Sequence, residues 1–258
     1  MIKLIHGDCL EKMNDIENGS VDMVLADPPY GTTKCKWDTV IPFEPMWNHL
    51  KRIIKPNGVI VLMAQTPFDK ILGASNLSML RHEWIWEKTA ATGFLNAKKM
   101  PLKAHENILI FSENAQNHYN MLVFYKNLPG YYPQITDGHE NKTSSRGNVN
   151  SECYGKAIKT VSYNSTKRYP RSVLKFPSDK QKLKLHPTQK PVALMEYFIK
   201  TYTLEGDTVV DFTMGSGTTG VPCKKLNRHF IGIEKEKVTF NIAKDRIERT
   251  QIQQSLFP

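Results

Sequence analysis

The strongest constraint on the fold is an alternation of short apolar runs with segments of helical period. Seven runs have the length and composition of buried strands, and several are rich in β-branched residues. They are residues 3–7, 21–27, 58–64, 83–88, 107–112, 208–212 and 229–234. Strand, helix, strand alternation predicts a doubly wound, mostly parallel α/β sheet.

Two of the intervening helices have readable ends. The first starts near Phe43, repeats apolar residues at helical spacing and is closed by Lys55-Pro56-Asn57-Gly58. The second starts with Pro191 at the first helical position, where a missing N–H costs nothing. Both segments predict helices that cover the sheet.

The composition indicates one sizeable core and excludes several classes of protein. The chain has 258 residues, of which 40% are hydrophobic, but no run of 18 apolar residues. Because the N-terminus lacks the apolar region of a signal peptide, we expect a soluble, cytoplasmic protein without a membrane partner. The four cysteines form no C-x-x-C pair, so we predict no metal site, disulfide framework or redox motif.

The positive charge is concentrated in one segment. Residues 114–190 hold 13 Lys or Arg against four Asp or Glu, which accounts for nearly all of the net charge of +10. Seven tyrosines lie among these cations, as a nucleic-acid surface would have them. The stretch from 114 to about 180 lacks the strand and helix rhythm and is too long for a connector, so it is interpreted as an inserted recognition region. A solvated basic loop is the alternative.

A glycine motif follows the strand at 208–212. Gly215, Gly217 and Gly220 form G-x-G-x-x-G directly after Asp211, and Glu234 ends the next strand 19 residues after the first glycine. Glycines let the backbone approach a ligand, and a carboxylate at the neighbouring strand tip can bind ribose hydroxyls. The motif alone does not separate a nicotinamide or flavin cofactor from S-adenosylmethionine, and a dehydrogenase stays open.

A second motif, Asp27-Pro28-Pro29-Tyr30, follows the strand at 21–27. The two prolines fix the backbone at the strand tip, where open α/β sheets bind their ligands. The Asp27 carboxylate and the Pro28 carbonyl can each accept one N–H of an exocyclic amine, while Tyr30 stacks on the attached ring. Such a rigid site would favour the pyramidal nitrogen needed for attack on an electrophile.

Together these motifs resemble the amino-group DNA methyltransferases that use S-adenosylmethionine. The order, with Asp27-Pro28-Pro29-Tyr30 before Gly215-Ser216-Gly217-Thr218 and a basic region between them, resembles the circularly permuted β class of that family. His186-Pro187-Thr188-Gln189-Lys190-Pro191 resembles the family segment that precedes the cofactor half. The resemblance covers most of the chain and implies a Rossmann-like fold with a seven-stranded sheet.

The resemblance also implies the roles of individual residues. Asp27, Pro28, Pro29 and Tyr30 would be catalytic, and Asp8 sits where the family has an acidic residue that contacts the cofactor adenine. The residues expected to bind S-adenosylmethionine are Asp8, Asp211, Thr213, Gly215, Ser216, Gly217, Thr218 and Glu234. Thr213 departs from the family, which usually has Phe there. Asp27 rather than Ser before the prolines favours adenine N6 over cytosine N4.

The expected partner is double-stranded DNA with the target base flipped out of the stack. Candidate DNA contacts in the basic region are Lys142, Arg146, Lys167, Arg168 and Arg171, of which the arginines could read guanine. The predicted parts are a catalytic half (1–113), a recognition insertion (114–180), a cofactor half (181–250) and a flexible tail (251–258). The tail segment Gln253–Phe257 resembles a sliding-clamp docking peptide, with a frayed end as the alternative.

Three alternatives remain beside an adenine-N6 enzyme. The substrate could be cytosine N4 or RNA, and a catalytically silent DNA-binding protein could share the fold. Pro222-Cys223 resembles the nucleophile of cytosine-C5 enzymes, but the pair falls in a helix behind the cofactor loop rather than at a strand tip. The sequence does not decide whether a restriction endonuclease accompanies the protein, and it leaves the oligomeric state open.

Overall fold

The computed structural model describes the backbone of seven stretches of the chain. They are residues 1–94, 97–113, 130–146, 149–151, 155–157, 161–178 and 189–252. Twelve strands lie within them: β1 (Ile2–His6), β2 (Val21–Ala26), β3 (Ile54–Ala64), β4 (Leu80–Thr92), β5 (Lys103–Phe111), β6 (Lys142–Arg146), β7 (Val149–Ser151), β8 (Gly155–Ala157), β9 (Val161–Ser165), β10 (Val173–Phe176), β11 (Thr208–Asp211) and β12 (His229–Glu234). The helices in the same stretches are α1 (Cys9–Lys12), α2 (Phe43–Ile53), α3 (Phe68–Ala74), α4 (Val192–Tyr202), α5 (Gly220–Lys225) and α6 (Lys237–Glu248), with a 3₁₀ turn at Met13–Asp15.

The main sheet has the order β1-β12-β11-β2-β3-β5-β4-β10. All neighbours run parallel except β5, which is antiparallel to both β3 and β4. The carboxyl ends of the parallel strands therefore meet at one edge, which is the edge where α/β sheets bind ligands. The predicted doubly wound, mostly parallel α/β fold is confirmed.

Helices cover both faces of this sheet because neighbouring strand residues point to opposite sides. On β2, Val24 and Ala26 belong to a core that includes the buried side of α2. Met23 and Leu25 belong to a second core, formed with α4 and α6. Strand β2 is apolar on both faces because a layer of helices covers each face of the sheet.

The basic region contributes more regular structure than the sequence suggested. Strands β6 and β9 pair with each other, as do β7 and β8, and β10 adds to the main sheet alongside β4. The sheet described here therefore has eight strands, which corrects the seven implied by resemblance. An unpaired β4 would expose a row of backbone donors and acceptors, and β10 satisfies them.

Two predicted boundaries shift slightly. Helix α2 ends at Ile53, and Lys55–Gly58, expected to be a helix-ending turn, lies within β3 at an irregularity in its pairing with β2. Pro56 has no N–H for a regular ladder, so a bulge accommodates it. Pro191 precedes the first turn of α4 as its N-cap. In the stretches described, no helix is both long and apolar enough to cross a bilayer.

Candidate active site

The corner Asp27-Pro28-Pro29-Tyr30 stands at the carboxyl end of β2 and is held from several sides. The Tyr30 hydroxyl donates a hydrogen bond to Asp27 Oδ1 at 2.5 Å. Its ring packs on Phe68, with centroids 5.0 Å apart and planes 25° from parallel. Burial and the negative charge of Asp27 raise the pKa of Tyr30 well above its ordinary value, so the phenol stays neutral. The Tyr30 side chain is thus held in place by Asp27 and Phe68.

The loop after the corner is fastened by one carboxylate. Asp38 Oδ1 accepts from the Gly31 backbone N–H at 2.8 Å, and Oδ2 accepts from Thr32 and Thr33 at 2.9 and 2.6 Å. Burial opposes ionisation of Asp38, but these hydrogen bonds outweigh it and hold its pKa below the ordinary value. The loop therefore keeps its place beside the corner without regular secondary structure.

A buried ion cluster adjoins Asp27. Lys190 Nζ lies 2.7 Å from Asp27 Oδ2 and 3.2 Å from Glu106 Oε2, and Lys88 Nζ lies 2.6 Å from Glu106 Oε1. Burial alone would neutralise Lys190, but the charges of Asp27 and Glu106 dominate and raise its pKa. Burial likewise opposes the charge on Glu106, yet the two lysines hold its pKa below the ordinary value. Two cations and two anions thus form a neutral group within the protein.

The glycine turn after β11 takes the conformation that the motif requires. Gly215 and Gly217 have φ of 53° and 79°, in the left-handed region that favours glycine. The Gly215 N–H donates to Glu234 Oε2 at 3.0 Å, while Glu234 Oε1 accepts from the Glu236 N–H at 2.7 Å. Glu234 therefore joins the turn to the end of β12, and burial raises its pKa.

Arg246 on α6 holds the turn from the opposite side. Its Nη1 donates to the Ser216 carbonyl at 3.2 Å and lies 3.4 Å from both the Ser216 and Thr218 hydroxyls. Ser216 and Thr218 are buried. The predicted Ser216-Gly217-Thr218 segment is thus a fixed part of the site.

The two motifs meet through Thr213. Its hydroxyl donates to the Asp27 backbone carbonyl at 3.2 Å, and its backbone N–H donates to Asp211 Oδ1 at 3.1 Å. This contact exists because β2 and β11 are neighbours in the sheet although about 185 residues separate them. The residue that departs from the family pattern therefore links the Asp27-Pro28-Pro29-Tyr30 corner to the strand that precedes the glycine turn.

Asp8 completes the predicted set at the next strand. Strand β1 pairs with β12 so that His6 is opposite Glu234, which brings Asp8 close to the end of β12. Asp8 Oδ1 caps α1 by accepting from the Leu10 N–H at 3.0 Å, and Oδ2 pairs with Lys235 Nζ at 3.2 Å. These contacts hold Asp8 beside the end of β12.

The corner, the ion cluster and the glycine turn line one cavity of about 510 Å³. Of the twelve residues predicted to be catalytic or cofactor-binding, all but Gly217 line it. The corner and the glycine turn therefore share one cavity on one side of the sheet, as the methyl-transfer hypothesis requires.

The comparisons with known proteins identify the family. A family model described as DNA methylase, for the N6/N4 methylases, matches residues 21–245. The chain belongs to this family. S-adenosylmethionine is the methyl donor of such enzymes, and this chain is a DNA methyltransferase of the amino-group type.

Individual relatives agree with this assignment. Type II methyltransferase M.HpaI of Haemophilus parainfluenzae is 28% identical over 260 residues, which cover 95% of this chain and 74% of that protein. M1.MboII of Moraxella bovis is also 28% identical, over 97% of this chain and 98% of its own. The crystal structure of the M1.HpyAVI–SAM complex has a TM-score of 0.60 at 27% identity, covering 96% and 99% of the two chains. The cytosine-N4-specific PvuII enzyme, at 17% identity and a TM-score of 0.65 over 95% and 86%, shows the fold alone.

The cavity of this methylase suits S-adenosylmethionine. Asp8, Asp211 and Glu234 line it, and acidic residues suit a cationic ligand with ribose hydroxyls. The buried Gln189 Nε2 has no hydrogen-bond partner among the described residues, although Gln189 lines the cavity. A buried donor left open is one that a ligand can satisfy.

The predicted DNA contacts fall into different settings. Lys142, Lys167 and Arg171 are exposed. Arg168 instead donates to the carbonyls of Ser165, Lys167 and Glu140, so its guanidinium holds the insertion together. The side chain of Arg146 and the tail segment 253–257 lie outside the described residues.

The insertion reaches the cavity through β10. The Phe176 carbonyl at its end accepts from Trp86 Nε1 at 2.9 Å, and Ser178 lines the cavity. The insertion also docks on α4, where the Tyr132 N–H donates to the Thr201 carbonyl at 2.7 Å. The basic region is therefore anchored to β4 and α4 beside the cavity.

The nucleophile alternative is not supported. Cys223 is fully buried in α5, and burial raises its pKa well above the ordinary value, so the thiol is neither accessible nor ionised. Within the described stretches, no three His, Cys, Asp or Glu side chains are grouped as metal ligands would be. The site is built for methyl transfer without a covalent enzyme intermediate.

Sequence reasoning missed several members of the site. Lys88 and Glu106 come from β4 and β5, and no local motif marks them. Lys190 lies in the segment 186–191, whose resemblance to the family was noted without a role for the lysine. Phe68 and Arg246 likewise act through tertiary contacts.

Proposed function

We propose that this methylase transfers a methyl group from S-adenosylmethionine to N6 of an adenine flipped out of double-stranded DNA. The proposal is supported chiefly by Thr213 bonding to the carbonyl of Asp27, which joins the amine-binding corner to the cofactor turn. The carboxylate in Asp27-Pro28-Pro29-Tyr30 favours adenine N6, since the cytosine-N4 enzymes of the resemblance usually have Ser there. Cytosine N4 is the second candidate, because one fold relative has that specificity.

The chemistry assigned to the corner is activation of an aryl amine. Asp27 Oδ2 and the Pro28 carbonyl would accept the two N6 hydrogens, which localises the nitrogen lone pair out of the ring plane. S-adenosylmethionine supplies an electrophilic methyl group on a sulfonium. As the N–C bond forms, the bond between sulfur and the methyl carbon would break and release S-adenosylhomocysteine as a neutral thioether. The Asp27 carboxylate, already hydrogen-bonded to the amine, would accept the proton that the nitrogen loses. No side chain becomes covalently modified.

The target amine is inaccessible inside a duplex, so the base must leave the stack. Extrusion costs roughly a few kcal/mol, which phosphate contacts from the basic insertion would offset. We assign residues 1–113 to the catalytic half, 114–180 to recognition and 181–250 to the cofactor half. A paired endonuclease and a sliding-clamp contact through Gln253–Phe257 stay predictions.

The proposal is tested by sequencing DNA from cells that express the chain and lack other methylases. N6-methyladenine at one position of a short motif is the expected result, and mass spectrometry of the nucleosides identifies the base independently. If N4-methylcytosine is found instead, the second candidate function, methylation of cytosine N4, is the correct one. DNA binding without any methylated nucleoside would identify a catalytically silent protein.

The role of Asp27 gives the first mutational prediction. Asp27→Ala removes one acceptor and leaves the glycine turn intact, so methyl transfer should fall at least 100-fold while S-adenosylmethionine affinity stays within about fivefold. Single-turnover transfer and calorimetric titration measure the two quantities. Asp245→Ala, on the exposed side of α6, is the matched control and should keep both the rate of methyl transfer and the affinity for S-adenosylmethionine. Full transfer by Asp27→Ala would refute the assignment.

A further inference from the structure

Lys190 is the cation of the ion cluster that contacts Asp27 directly. Glu106 already has a close partner in Lys88, at 2.6 Å. Lys190 nevertheless stands in the same cluster with only 9% of its side chain exposed, and it lines the cavity beside Asp27. Burying a charged lysine costs several kcal/mol before its partners compensate. Its partners compensate this cost, and Lys190 is a buried cation that lines the cavity directly beside the carboxylate assigned to the amine, where a bound ligand would contact it.

The hydrogen-bonding capacity of Lys190 is not exhausted. An ammonium group has three donors. Its Nζ contacts two anionic oxygens, Asp27 Oδ2 at 2.7 Å and Glu106 Oε2 at 3.2 Å. The ammonium also lies 5.3 Å from the centroid of the Tyr30 ring, which forms the wall of the base site. Among the described residues these two contacts leave one Lys190 donor for a group bound between Asp27 and Tyr30.

The edge of the target base supplies the matching acceptor. In adenine the exocyclic N6 donates hydrogens, while ring nitrogen N1, attached to the same carbon, accepts one. We propose that Lys190 donates a hydrogen bond to N1 while Asp27 accepts from N6, so that the pair reads the amidine edge of the flipped base. This inference rests on the proposed function and names the residue that selects its substrate base.

The pair would also reject the wrong bases. Guanine and thymine present a carbonyl where adenine has its amine, and an N–H where adenine has N1. Either base would set its carbonyl against the Asp27 carboxylate and its N–H against the Lys190 ammonium, which leaves buried groups unpaired. Cytosine keeps the same order of donor and acceptor through N4 and N3. Lys190 therefore separates amino from keto bases, not adenine from cytosine.

The test is a double-mutant cycle that changes ring atom N1 of the target base and the side chain of Lys190. Duplexes carrying the motif found by sequencing are made with adenine or 1-deazaadenine at the target, the latter replacing N1 by C–H and keeping N6. Equilibrium DNA binding with a non-reactive cofactor analogue, and single-turnover transfer, are measured for the native chain, Lys190→Met and Lys88→Met. Lys88→Met is the matched control because it removes a cation from the same cluster without a contact to Asp27. Gln189→Leu tests the neighbouring buried donor.

The expected result is a coupling specific to Lys190. The native chain should bind the 1-deazaadenine duplex at least about tenfold more weakly than the adenine duplex, as expected for a hydrogen bond to a charged group. Lys190→Met should bind both duplexes within about twofold of each other. Lys88→Met should retain the native discrimination, whatever its effect on overall transfer.

Each other outcome is decisive. Native binding that is equal for the two duplexes overturns the inference, as does discrimination that persists in Lys190→Met or disappears in Gln189→Leu alone. If thermal unfolding shows that Lys190→Met is not folded, Lys190→Gln replaces it. The comparison of the two duplexes with the native chain needs no variant, and equal binding there still overturns the inference. Failure of the native chain to methylate ordinary DNA would instead reject the proposed function. If the methylated base is cytosine, 3-deazacytosine takes the place of 1-deazaadenine.

Discussion

At the scale of single residues, Asp211 is a carboxyl group of the site whose pKa is raised by its surroundings. The carboxyl is 3% exposed and accepts the Thr213 N–H. Burial, reinforced by the negative charges of Asp27 and Glu234, raises its pKa to about 7. Asp211 is thus a group whose charge depends on pH near neutrality and on any cation bound nearby.

The raised pKa gives a prediction with a defined sign. Below about pH 4 the carboxyl is protonated in both the folded and the unfolded chain, and above about pH 7 it is ionised in both. Between these values the folded chain keeps a proton that the unfolded chain has lost, so the contribution of Asp211 to stability falls as pH rises. The free energy of unfolding of Asp211→Asn relative to the native chain should therefore rise by a few kcal/mol from pH 5 to pH 8.

Urea unfolding at pH 5, 6.5 and 8 measures this difference. The control is Asp245→Asn, the same substitution at an exposed position of α6, measured at each pH. A flat difference for Asp211→Asn would show that the carboxyl titrates at its ordinary pKa.

At the scale of elements, the third glycine of the motif sets how closely α5 approaches its neighbours. A Cβ at Gly220 would lie 2.7 Å from Phe230 Cε1 on β12 and also contact Ile247 on α6. The glycine thus serves helix–sheet packing, whereas Gly215 and Gly217 serve the turn itself.

Gly220→Ala should lower the free energy of unfolding by about 1–3 kcal/mol, because an added methyl group overpacks a buried contact. Gly73→Ala is a matched control within a helix, since a Cβ there would meet its neighbours at 3.6 Å or more. That variant should gain up to about 1 kcal/mol from helix propensity. Chemical denaturation of both variants checks the comparison, and equal effects would contradict it.

At the scale of the whole molecule, the distribution of charge determines the encounter with DNA. Net charge is +10, and nearly all the excess lies in the basic region. That region is anchored beside the cavity through β10. Phosphate contacts release counterions, so affinity should fall linearly with salt on logarithmic axes.

Exposed cations of the insertion should each contribute to this slope. Lys142→Ala and Arg171→Ala should each reduce the slope of the logarithm of the association constant against the logarithm of salt concentration by about one. Lys51→Ala, on the exposed side of α2, should leave the slope unchanged. Fluorescence anisotropy between 50 and 300 mM salt, as a rough working range, measures it. An unchanged slope in both insertion variants would show that Lys142 and Arg171 do not contact DNA phosphates.

The predictions that succeeded from sequence were those with local causes. All seven predicted strands are present, because continuous apolar runs can be buried only within a covered sheet. The turn at Gly215 and Gly217 followed from glycine's access to positive φ. The predicted corner and turn line one cavity, because parallel strands bring their carboxyl ends to the same edge.

What only the tertiary structure decided was which distant charges meet. Asp27, Lys88, Glu106 and Lys190 come from separate elements, and their contacts depend on the strand order rather than on any spacing along the chain. The same holds for β10, whose partner strand β4 lies about 90 residues earlier. Local patterns determine elements because backbone sterics and burial act over a few residues. Coulomb interactions depend on distance in space, so the environment of the reacting amine was set only when the sheet assembled.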